Sequence, residues 1–287
     1  MRISADFSKC VRSYWRGSRC DKCVTACPAG ALYIADGRVE AEPALCAGCG
    51  QCAAACPTGV FKLEGLGPRL SCREGGPCIN ALKLTDYVDL VEKYGEVEVD
   101  ARCDECSLRG RGLEVLDEAV KLGLKVKAVR GRGGDVGRRM LLRAGMRQAL
   151  RGEPPLQVAR GVPRRVQYDK SKYVERGAAQ PVGPRVDVER CVGCGVCAGV
   201  CPSGAIELDE EAFVFSLDPA KCMECGLCIE ACDRGAVLLM DWGELYVDHV
   251  FLETERCPNC GALYPKNRGE CPVCGFAVRL IKEVYGL

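Results

Sequence analysis

The sequence has little histidine, few aromatic residues and almost no net charge. Its 287 residues include one histidine, 6% aromatic residues and a net charge of only +1. A near-neutral chain argues against a dedicated nucleic-acid binder, because such proteins carry an overall basic excess. No apolar run approaches the roughly 18 residues of a membrane helix, and no signal-peptide pattern is visible. We therefore expect no nucleic-acid partner, no membrane span and a cytoplasmic location.

Motifs of common enzyme classes are absent as well. The chain has no Rossmann glycine fingerprint, no P-loop, no catalytic triad and no C-x3-C-x2-C signature of radical enzymes. What it has in abundance is cysteine, with 24 residues. A content of about 8% is typical of disulfide scaffolds only in short secreted chains. Because this chain is neither short nor visibly secreted, we expect its cysteines to bind metal.

A repeated cysteine spacing organises the chain. The spacing C-x2-C-x2-C-x3-C occurs complete in three stretches, which are Cys46–Cys56, Cys191–Cys201 and Cys222–Cys232. Proline follows the last cysteine of the first two, whereas Asp233 follows Cys232. The stretch Cys20–Pro28 carries only the last three cysteines of the pattern, and Cys10 could supply the missing one.

These runs resemble the bacterial-type two-cluster ferredoxins, over approximately Met1–Gly67 and Gly183–Gly243. In such a run three closely spaced thiolates hold one iron–sulfur cube, while small residues let the backbone approach and point amide N–H groups at sulfur. In this family the last cysteine of each run ligates the other cluster. The resemblance implies two ferredoxin-like dicluster units in a polyferredoxin-like electron-transfer protein.

Carried over residue by residue, the resemblance implies four sets of cysteine ligands for four [4Fe-4S] clusters. The first quartet is Cys10, Cys20, Cys23 and Cys56, and the second quartet is Cys46, Cys49, Cys52 and Cys27. The third quartet is Cys191, Cys194, Cys197 and Cys232, and the fourth quartet is Cys222, Cys225, Cys228 and Cys201. Zinc binding, or a role as folding staples only, is the alternative for these cysteines.

Two departures from the family pattern bear on this transfer. Nine residues, Val11–Arg19, separate Cys10 from Cys20 where the family usually has two, so the nuclearity of the first cluster stays open. The missing proline after Cys232 is expected to affect the turn and its amide hydrogen bonds, while leaving all four cysteines in place.

The segments around the runs predict short strands. Ala31–Ile34 and Val39–Ala41 flank Asp36-Gly37 and predict a hairpin between the first two runs, and Gly204–Leu217 repeats the pattern. Strands are also expected before and after each pair of runs, at Arg2–Ser4, Val60–Leu63, Arg185–Val188 and Ala236–Leu239.

Between the two pairs of runs lies a second kind of cysteine set, the middle quartet, made of Cys72, Cys78, Cys103 and Cys106. The surrounding pattern predicts β-α-β-α-β, with a strand ending at Arg69–Ser71, helices at Leu84–Tyr94 and Leu113–Leu122, and strands at Val97–Val99 and Leu124–Val129. Right-handed crossovers would make the sheet parallel and bring Cys72 and Cys103 to the carboxyl ends of neighbouring strands. The pattern has a weak resemblance to hydrogenase-associated iron–sulfur modules linked to heterodisulfide reductases.

Three interpretations of the middle quartet stay open. It could hold a fifth iron–sulfur cluster, either [2Fe-2S] or [4Fe-4S], or a structural zinc ion. It could instead provide a redox-active thiol pair, because C-x-x-C motifs also exchange disulfides.

The segment Gly131–Arg176 is the one strongly basic stretch, with 12 basic against 4 acidic residues. Val136–Leu150 predicts a helix, and an extended connection follows. A solvated linker is the simpler interpretation of this segment. Docking along a partner subunit or an acidic face is the alternative.

The carboxyl-terminal region carries two C-P-x-C-G knuckles, with ten residues between Cys260 and Cys271, which resemble a zinc ribbon. Their cysteines form the ribbon quartet, Cys257, Cys260, Cys271 and Cys274. Four thiolates suit tetrahedral zinc, and the glycines permit the tight turns that aim amides at sulfur. Rubredoxin-like iron is the less favoured alternative, and we expect His249 to be a packing residue instead of a ligand.

The sequence thus predicts an α+β chain with five regions: a dicluster unit over 1–67, a small α/β parallel-sheet module over 68–130, a basic helix and linker over 131–182, a second dicluster unit over 183–245, and a zinc ribbon over 246–287. The favoured function is electron transfer, as a relay subunit of a larger cytoplasmic oxidoreductase whose partner is a redox protein or a catalytic subunit. An iron–sulfur enzyme that reduces a disulfide or small substrate at the middle quartet is the alternative. A nucleic-acid adaptor is a third hypothesis, which leaves the predicted clusters without a role.

Overall fold

The computed structural model describes residues 2–103, 106–108, 110–131, 134–149 and 154–285, with the backbone alone at 143–149, 281 and 285. The chain divides into two units. The first contains residues 1–166 and 170–180, and the second contains residues 167–169 and 181–287. Helices and strands occur in both, as the α+β prediction requires.

The amino-terminal part of the first unit contains short strands and helices around buried cysteines. Its elements are β1 (Arg2–Asp6), α1 (Val11–Tyr14), α2 (Lys22–Thr25), β2 (Leu32–Ala35), β3 (Arg38–Ala41), α3 (Gln51–Ala55) and β4 (Phe61–Glu64). The predicted hairpin is β2-β3, and its turn residues Asp36 and Gly37 both have positive φ, as a tight hairpin turn requires. Strands β1 and β4 pair antiparallel, and Ile3 and Phe61 bury their side chains beside the cysteines.

The middle module has the predicted β-α-β-α-β order. Its elements are β5 (Arg69–Leu70), α4 (Leu84–Tyr94), β6 (Val97–Asp100), α5 (Gly112–Lys121) and β7 (Val126–Val129). The three strands are parallel in the order β5-β6-β7, which confirms the predicted sheet. The core between sheet and helices is apolar, with Leu70, Tyr87, Val97, Val99 and Leu116 at most 1% exposed. Each such side chain contributes roughly 1.5–3 kcal/mol through burial.

The basic segment forms more structure than a solvated linker. It contains α6 (Val136–Ala149), β8 (Leu156–Ala159) and α7 (Ser171–Glu175), while the predicted helix residue Leu150 lies outside the described residues. Strand β8 pairs parallel with β1 and completes the sheet β4-β1-β8. Basic residues in and just after α7 form ion pairs with acidic residues of α4. Lys172 lies 2.6 Å from Asp89, and Arg176, which follows α7, lies 2.8 Å from Glu92. These ion pairs are exposed, so each contributes little to the stability of the fold. They do pair basic side chains of this segment with acidic side chains of the same chain.

The second unit repeats the short-strand pattern and adds the carboxyl-terminal region. Its elements are β9 (Val182–Val186), α8 (Val196–Val200), β10 (Ile206–Asp209), β11 (Val214–Leu217), α9 (Leu227–Glu230), β12 (Val237–Asp241), β13 (Asp248–Phe251), β14 (Thr254–Arg256), β15 (Leu263–Pro265) and α10 (Pro272–Tyr285). Strands β9 and β12 pair antiparallel, as the strands before and after the first pair of runs do. Strand β13 extends the predicted hairpin into the sheet β10-β11-β13, and β14 and β15 form a separate hairpin.

Within the described residues, every helix is too short or too polar to span a lipid bilayer.

The start of α5 depends on a close contact with Asn80. The Gly112 amide donates to Asn80 Oδ1 at 2.8 Å, and a Cβ added at Gly112 would lie 2.6 Å from that oxygen and 2.7 Å from the Asn80 backbone nitrogen. We expect Gly112→Ala to lower the free energy of unfolding by about 1–3 kcal/mol, because the backbone has to shift. Anaerobic thermal unfolding measures the change. Gly67→Ala is the control, since its Cβ would meet nothing within 4 Å, and equal stability of the two variants would contradict the prediction.

Candidate metal centres

The first quartet gathers from four separate points of the chain. Cys10 precedes α1, Cys20 and Cys23 lie at the start of α2, and Cys56 follows α3. Burial raises the pKa of the Cys23 thiol to about 12, and the other three thiols of the quartet contribute to the rise. All four cysteines of the first quartet line one pocket, together with mainly apolar side chains such as Phe7 and Phe61. Four thiols that converge on one apolar pocket fit an inorganic cluster.

The second quartet adjoins the first. Burial raises the pKa of the Cys49 thiol to about 11, with Cys27 and Cys46 contributing. Burial also raises the pKa of Cys52, and the contributing thiols are the other members of its quartet and then Cys23 of the first quartet. The last cysteine of each run therefore lies with the other run.

The second unit brings its cysteines together in the same crossed way. Burial raises the pKa of Cys197 to about 12, with the other three thiols of the third quartet contributing. Burial raises the pKa of Cys225 to about 11, with Cys201 and Cys222 of the fourth quartet contributing. All four cysteines of the fourth quartet line one pocket. Cys197 contributes to the raised pKa of Cys228, so the third and fourth quartets are neighbours.

Backbone amides donate hydrogen bonds to the sulfur of the cysteines that cross between runs. Ala31 donates to Cys27 Sγ at 3.3 Å and Val60 donates to Cys56 Sγ at 3.4 Å. The amide four residues after Cys232 does the same, from Ala236 at 3.3 Å, although Asp233 replaces the proline. The replacement of the proline by Asp233 therefore leaves this amide hydrogen bond in place.

Glycines in the left-handed conformation shape the loops that carry the first cysteines of the runs. Gly48 has φ of 74° and donates to Cys46 Sγ at 3.4 Å, and Gly193 has φ of 63° and donates to Cys191 Sγ at 3.5 Å. A side chain at either position would be strained.

The enlarged loop after Cys10 contains α1 and contacts Cys20 of the first quartet. Its residues begin with α1, and the guanidinium of Arg12 is buried, with Nε donating to the Cys20 carbonyl at 2.7 Å. Ser18 Oγ accepts from the Cys20 amide at 3.2 Å. The insertion thus holds Cys20 through hydrogen bonds to both its amide and its carbonyl group.

The middle quartet lies at the carboxyl edge of the parallel sheet. Cys72 follows β5 and Cys103 follows β6, which confirms their predicted place at neighbouring strand ends. Burial raises the pKa of Cys103 to about 11, with Cys72 and Cys106 contributing. Burial raises the pKa of Cys78 to about 12, and its contributing neighbours are Cys72, Cys103 and also Cys49 of the second quartet.

A charged network fixes the strand end beside the middle quartet. The Asp100 carboxylate accepts from Arg102 at 2.8 Å and from Ser71 Oγ at 3.0 Å, and it lies 3.4 Å from Arg73. The hydrogen bonds from Arg102 are the main reason that the pKa of Asp100 falls to about 2. The carboxylate therefore stays ionised and keeps the Cys72 and Cys103 segments together.

The ribbon quartet is much tighter. Its four sulfurs lie within 4.8 Å of one another, with Cys257 to Cys274 at 3.8 Å and Cys260 to Cys271 at 3.5 Å. Tetrahedral zinc with Zn–S bonds of about 2.3 Å needs sulfurs about 3.8 Å apart. Amide N–H groups of Cys260 and Asn259 lower the pKa of the Cys257 thiol to about 7. Among the residues that the structure describes, this is the one group drawn together so closely.

The ribbon hairpin packs on the loop of the third quartet. Asn267 Nδ2 donates to the Cys191 carbonyl at 3.4 Å, and a Cβ at Gly193 would lie 2.7 Å from Pro265. His249 lies apart from the ribbon sulfurs on β13, where its Nδ1 is 3.1 Å from Ser216 Oγ. His249 is therefore paired with Ser216 across β11 and β13.

Comparison with protein families supports the cluster motifs. The family model described as the 4Fe-4S dicluster domain matches residues 16–60 and residues 190–236. The first match begins after Cys10, whereas the second includes all eight cysteines of the third and fourth quartets. Among curated proteins, no sequence match was found. The two matches support iron–sulfur binding and an electron-transfer role for these regions.

Two hydroxyl groups beside sulfur were not singled out in the sequence. Thr58 is 1% exposed and its Oγ1 lies 3.6 Å from Cys56 Sγ, while Ser203 Oγ lies 3.8 Å from Cys201 Sγ. Each of these hydroxyl residues directly follows a Cys-Pro pair. That repeated pattern was the signal in the sequence by which they could have been found.

The Thr58 hydroxyl is expected to tune the centre at the first quartet. A metal-bound thiolate has no proton, so Thr58 must donate, and a donated hydrogen bond favours the more negative, reduced state. We expect Thr58→Val to shift the midpoint potential of one centre to more negative values, without loss of iron, in a redox titration followed by EPR. Thr25→Val, at an exposed position of α2, should change nothing. An unchanged potential in Thr58→Val would contradict the role.

Proposed function

We propose that this chain is an electron-relay protein with ferredoxin-like dicluster units, in which the first to fourth quartets each hold one [4Fe-4S] cluster. The observation that carries the proposal is the crossed grouping of thiols, in which each run donates its last cysteine to its neighbour. Crossed ligation ties two centres into one small core and keeps them close. The clusters would supply one-electron chemistry without proton transfer.

The residues of the chain have three tasks in this function. Buried apolar side chains such as Phe7 and Phe61 exclude water from the first quartet. Amides such as those of Ala31 and Val60 donate hydrogen bonds to sulfur and favour the reduced state. The neighbouring thiols Cys52 and Cys23 bring two centres together inside the first unit.

A redox partner protein or a catalytic oxidoreductase subunit is the proposed recipient of the electrons, and the cytoplasm is the proposed location. Cys194 of the third quartet is exposed, so a partner can approach that centre closely. Catalysis by a thiol of the middle quartet has less support. Burial raises the pKa of Cys78 and of Cys103, whereas an activated thiol has a lowered pKa.

The ribbon quartet is proposed to hold structural zinc. The short sulfur–sulfur distances match one tetrahedral ion, and the hairpin that carries them packs on the third-quartet loop through Asn267 and Pro265. Zinc has no redox chemistry of its own, so its task would be to hold this hairpin against the loop.

The metal content of anaerobically purified protein tests the proposal. The first four quartets require about 16 iron and as many acid-labile sulfides, and the ribbon requires one zinc. Little iron and sulfide despite anaerobic handling would overturn the electron-transfer function.

Crossed ligation makes a sharper prediction for single cysteine variants. Cys56→Ser and Cys10→Ser are expected to lose the same EPR signal, because both remove a ligand of the first quartet. Cys52→Ser, only four residues from Cys56 in the sequence, is expected to lose a different signal. Each variant should lose up to about four iron. Loss of one common signal by Cys56→Ser and Cys52→Ser, and not by Cys10→Ser, would contradict the crossed arrangement.

A further inference from the structure

The middle quartet is in contact with the second quartet. Cys49 and Cys78 are 8% and 5% exposed and belong to one buried cluster with Leu108. This buried cluster joins a cysteine of each set across the boundary between the dicluster part and the α/β module.

Several interactions hold this boundary. Cys78 immediately precedes a short 3₁₀ helix, Ile79–Ala81, that packs on α3 of the dicluster part. Lys83 Nζ donates to the Cys56 carbonyl at 2.8 Å. Asn80 donates to the Leu108 carbonyl, which fixes the loop after Cys106. The two sets of thiols are therefore held at a fixed separation.

Tyr87 provides an independent indication of a ligand at the middle quartet. Its side chain is fully buried in α4, and within the described part of the chain its hydroxyl has no hydrogen-bond partner. Cys103 of the middle quartet packs against the same buried cluster as Tyr87. A buried hydroxyl without a partner is destabilising, and an acceptor beside this thiol would remove that cost.

The spacing of the middle quartet differs from that of the ribbon quartet. The ribbon sulfurs all lie within 4.8 Å of one another, whereas the middle quartet forms no such group among the described residues. Cys78 is buried and the other three thiols are partly buried. Thiols that are more widely set suit a larger inorganic core with its own sulfide ions, and those sulfides accept hydrogen bonds.

We propose that Cys72, Cys78, Cys103 and Cys106 hold a fifth iron–sulfur cluster that exchanges electrons with the second-quartet centre across the Cys49–Cys78 contact, with Tyr87 donating a hydrogen bond to its sulfur. This inference rests on the proposed electron-relay function. It makes the first unit a series of three centres, in the order first, second and middle quartet.

The step between the last two centres is a one-electron exchange. The second-quartet centre is oxidised by one electron and the middle centre is reduced by one electron, with no bond formed or broken and no proton moved. A low-potential one-electron donor supplies the electron, and dithionite takes that place in the test.

The first experiment compares metal content and EPR spectra of the wild-type chain and Cys78→Ser, both purified anaerobically. The wild type should contain about 18 or 20 iron, and Cys78→Ser should lose two or four of them together with one EPR signal. Zinc should stay at one per chain in both. Cys225→Ser, in the fourth quartet, is the matched control and should lose a different signal.

Electron exchange between the second-quartet and middle centres is tested in the same samples by the width of an EPR signal. In the fully reduced wild type, the signal that Cys52→Ser removes should be broadened by the neighbouring spin of the middle centre. Cys78→Ser should narrow that signal, and Cys225→Ser should not. Iron at the middle quartet without any such broadening would overturn the exchange.

Tyr87→Phe tests the site with all ligands in place, so it is informative even if Cys78→Ser fails to fold. We expect unchanged iron and a more negative midpoint potential for the signal that Cys78→Ser removes. Tyr94→Phe is the control on the same helix, because its hydroxyl donates to the Leu66 carbonyl at 2.8 Å. An equal shift in both variants, or none in Tyr87→Phe, would overturn the hydrogen bond.

The outcomes separate this inference from the proposed function. Two zinc ions per chain, or about 16 iron that Cys78→Ser leaves unchanged, would overturn the fifth cluster and leave the relay intact. Absence of iron from every quartet would overturn the proposed function itself.

Discussion

The burial of thiols in sets of four is the constraint on which the structure depends. Buried thiols resist ionisation, as the raised pKa values of Cys23, Cys49 and Cys197 show. Metal centres provide the positive charge that lets such groups become thiolates, so metal binding contributes directly to folding. The elements around the dicluster sites are helices and strands of four or five residues, such as α2 and α3. Helices this short are unstable alone, and the sites they surround must hold them.

The middle module holds its cysteines in position in a different way. Its parallel sheet and two longer helices bury an apolar core that includes Val97, Val99 and Leu116. The cysteines are then placed at the carboxyl edge, where open α/β sheets present their ligands. A rigid core holds Cys72 and Cys103 in position, and the buried Cys49–Cys78 contact brings the set to the second quartet. Ordinary hydrophobic packing thus positions the cysteines of the middle quartet. Elements as short as those of the dicluster part could not do this.

Sequence patterns predicted the features that local spacing encodes. The resemblance of the cysteine runs to two-cluster ferredoxins implied the crossed sets, and the apolar periodicity of α4 gave its bounds, Leu84–Tyr94, as the structure has them. Strand β8 was not predicted, because it pairs with β1 through backbone hydrogen bonds between distant segments, and such pairing leaves little trace in side-chain pattern. Tyr87 looked like an ordinary core residue, since its unpartnered hydroxyl is visible only after the module is folded. The Cys49–Cys78 contact was likewise a tertiary property.

Electron transfer through the whole chain tests the central claim most directly. A catalytic amount of anaerobically purified protein is mixed with a dithionite-reduced low-potential ferredoxin and a one-electron protein acceptor, and acceptor reduction is followed by stopped-flow absorbance. The account predicts that the chain accelerates acceptor reduction over many one-electron turnovers, with its clusters cycling between reduced and oxidised states. Clusters that reduce but pass no electrons on, with no acceleration over the uncatalysed mixture, would contradict it.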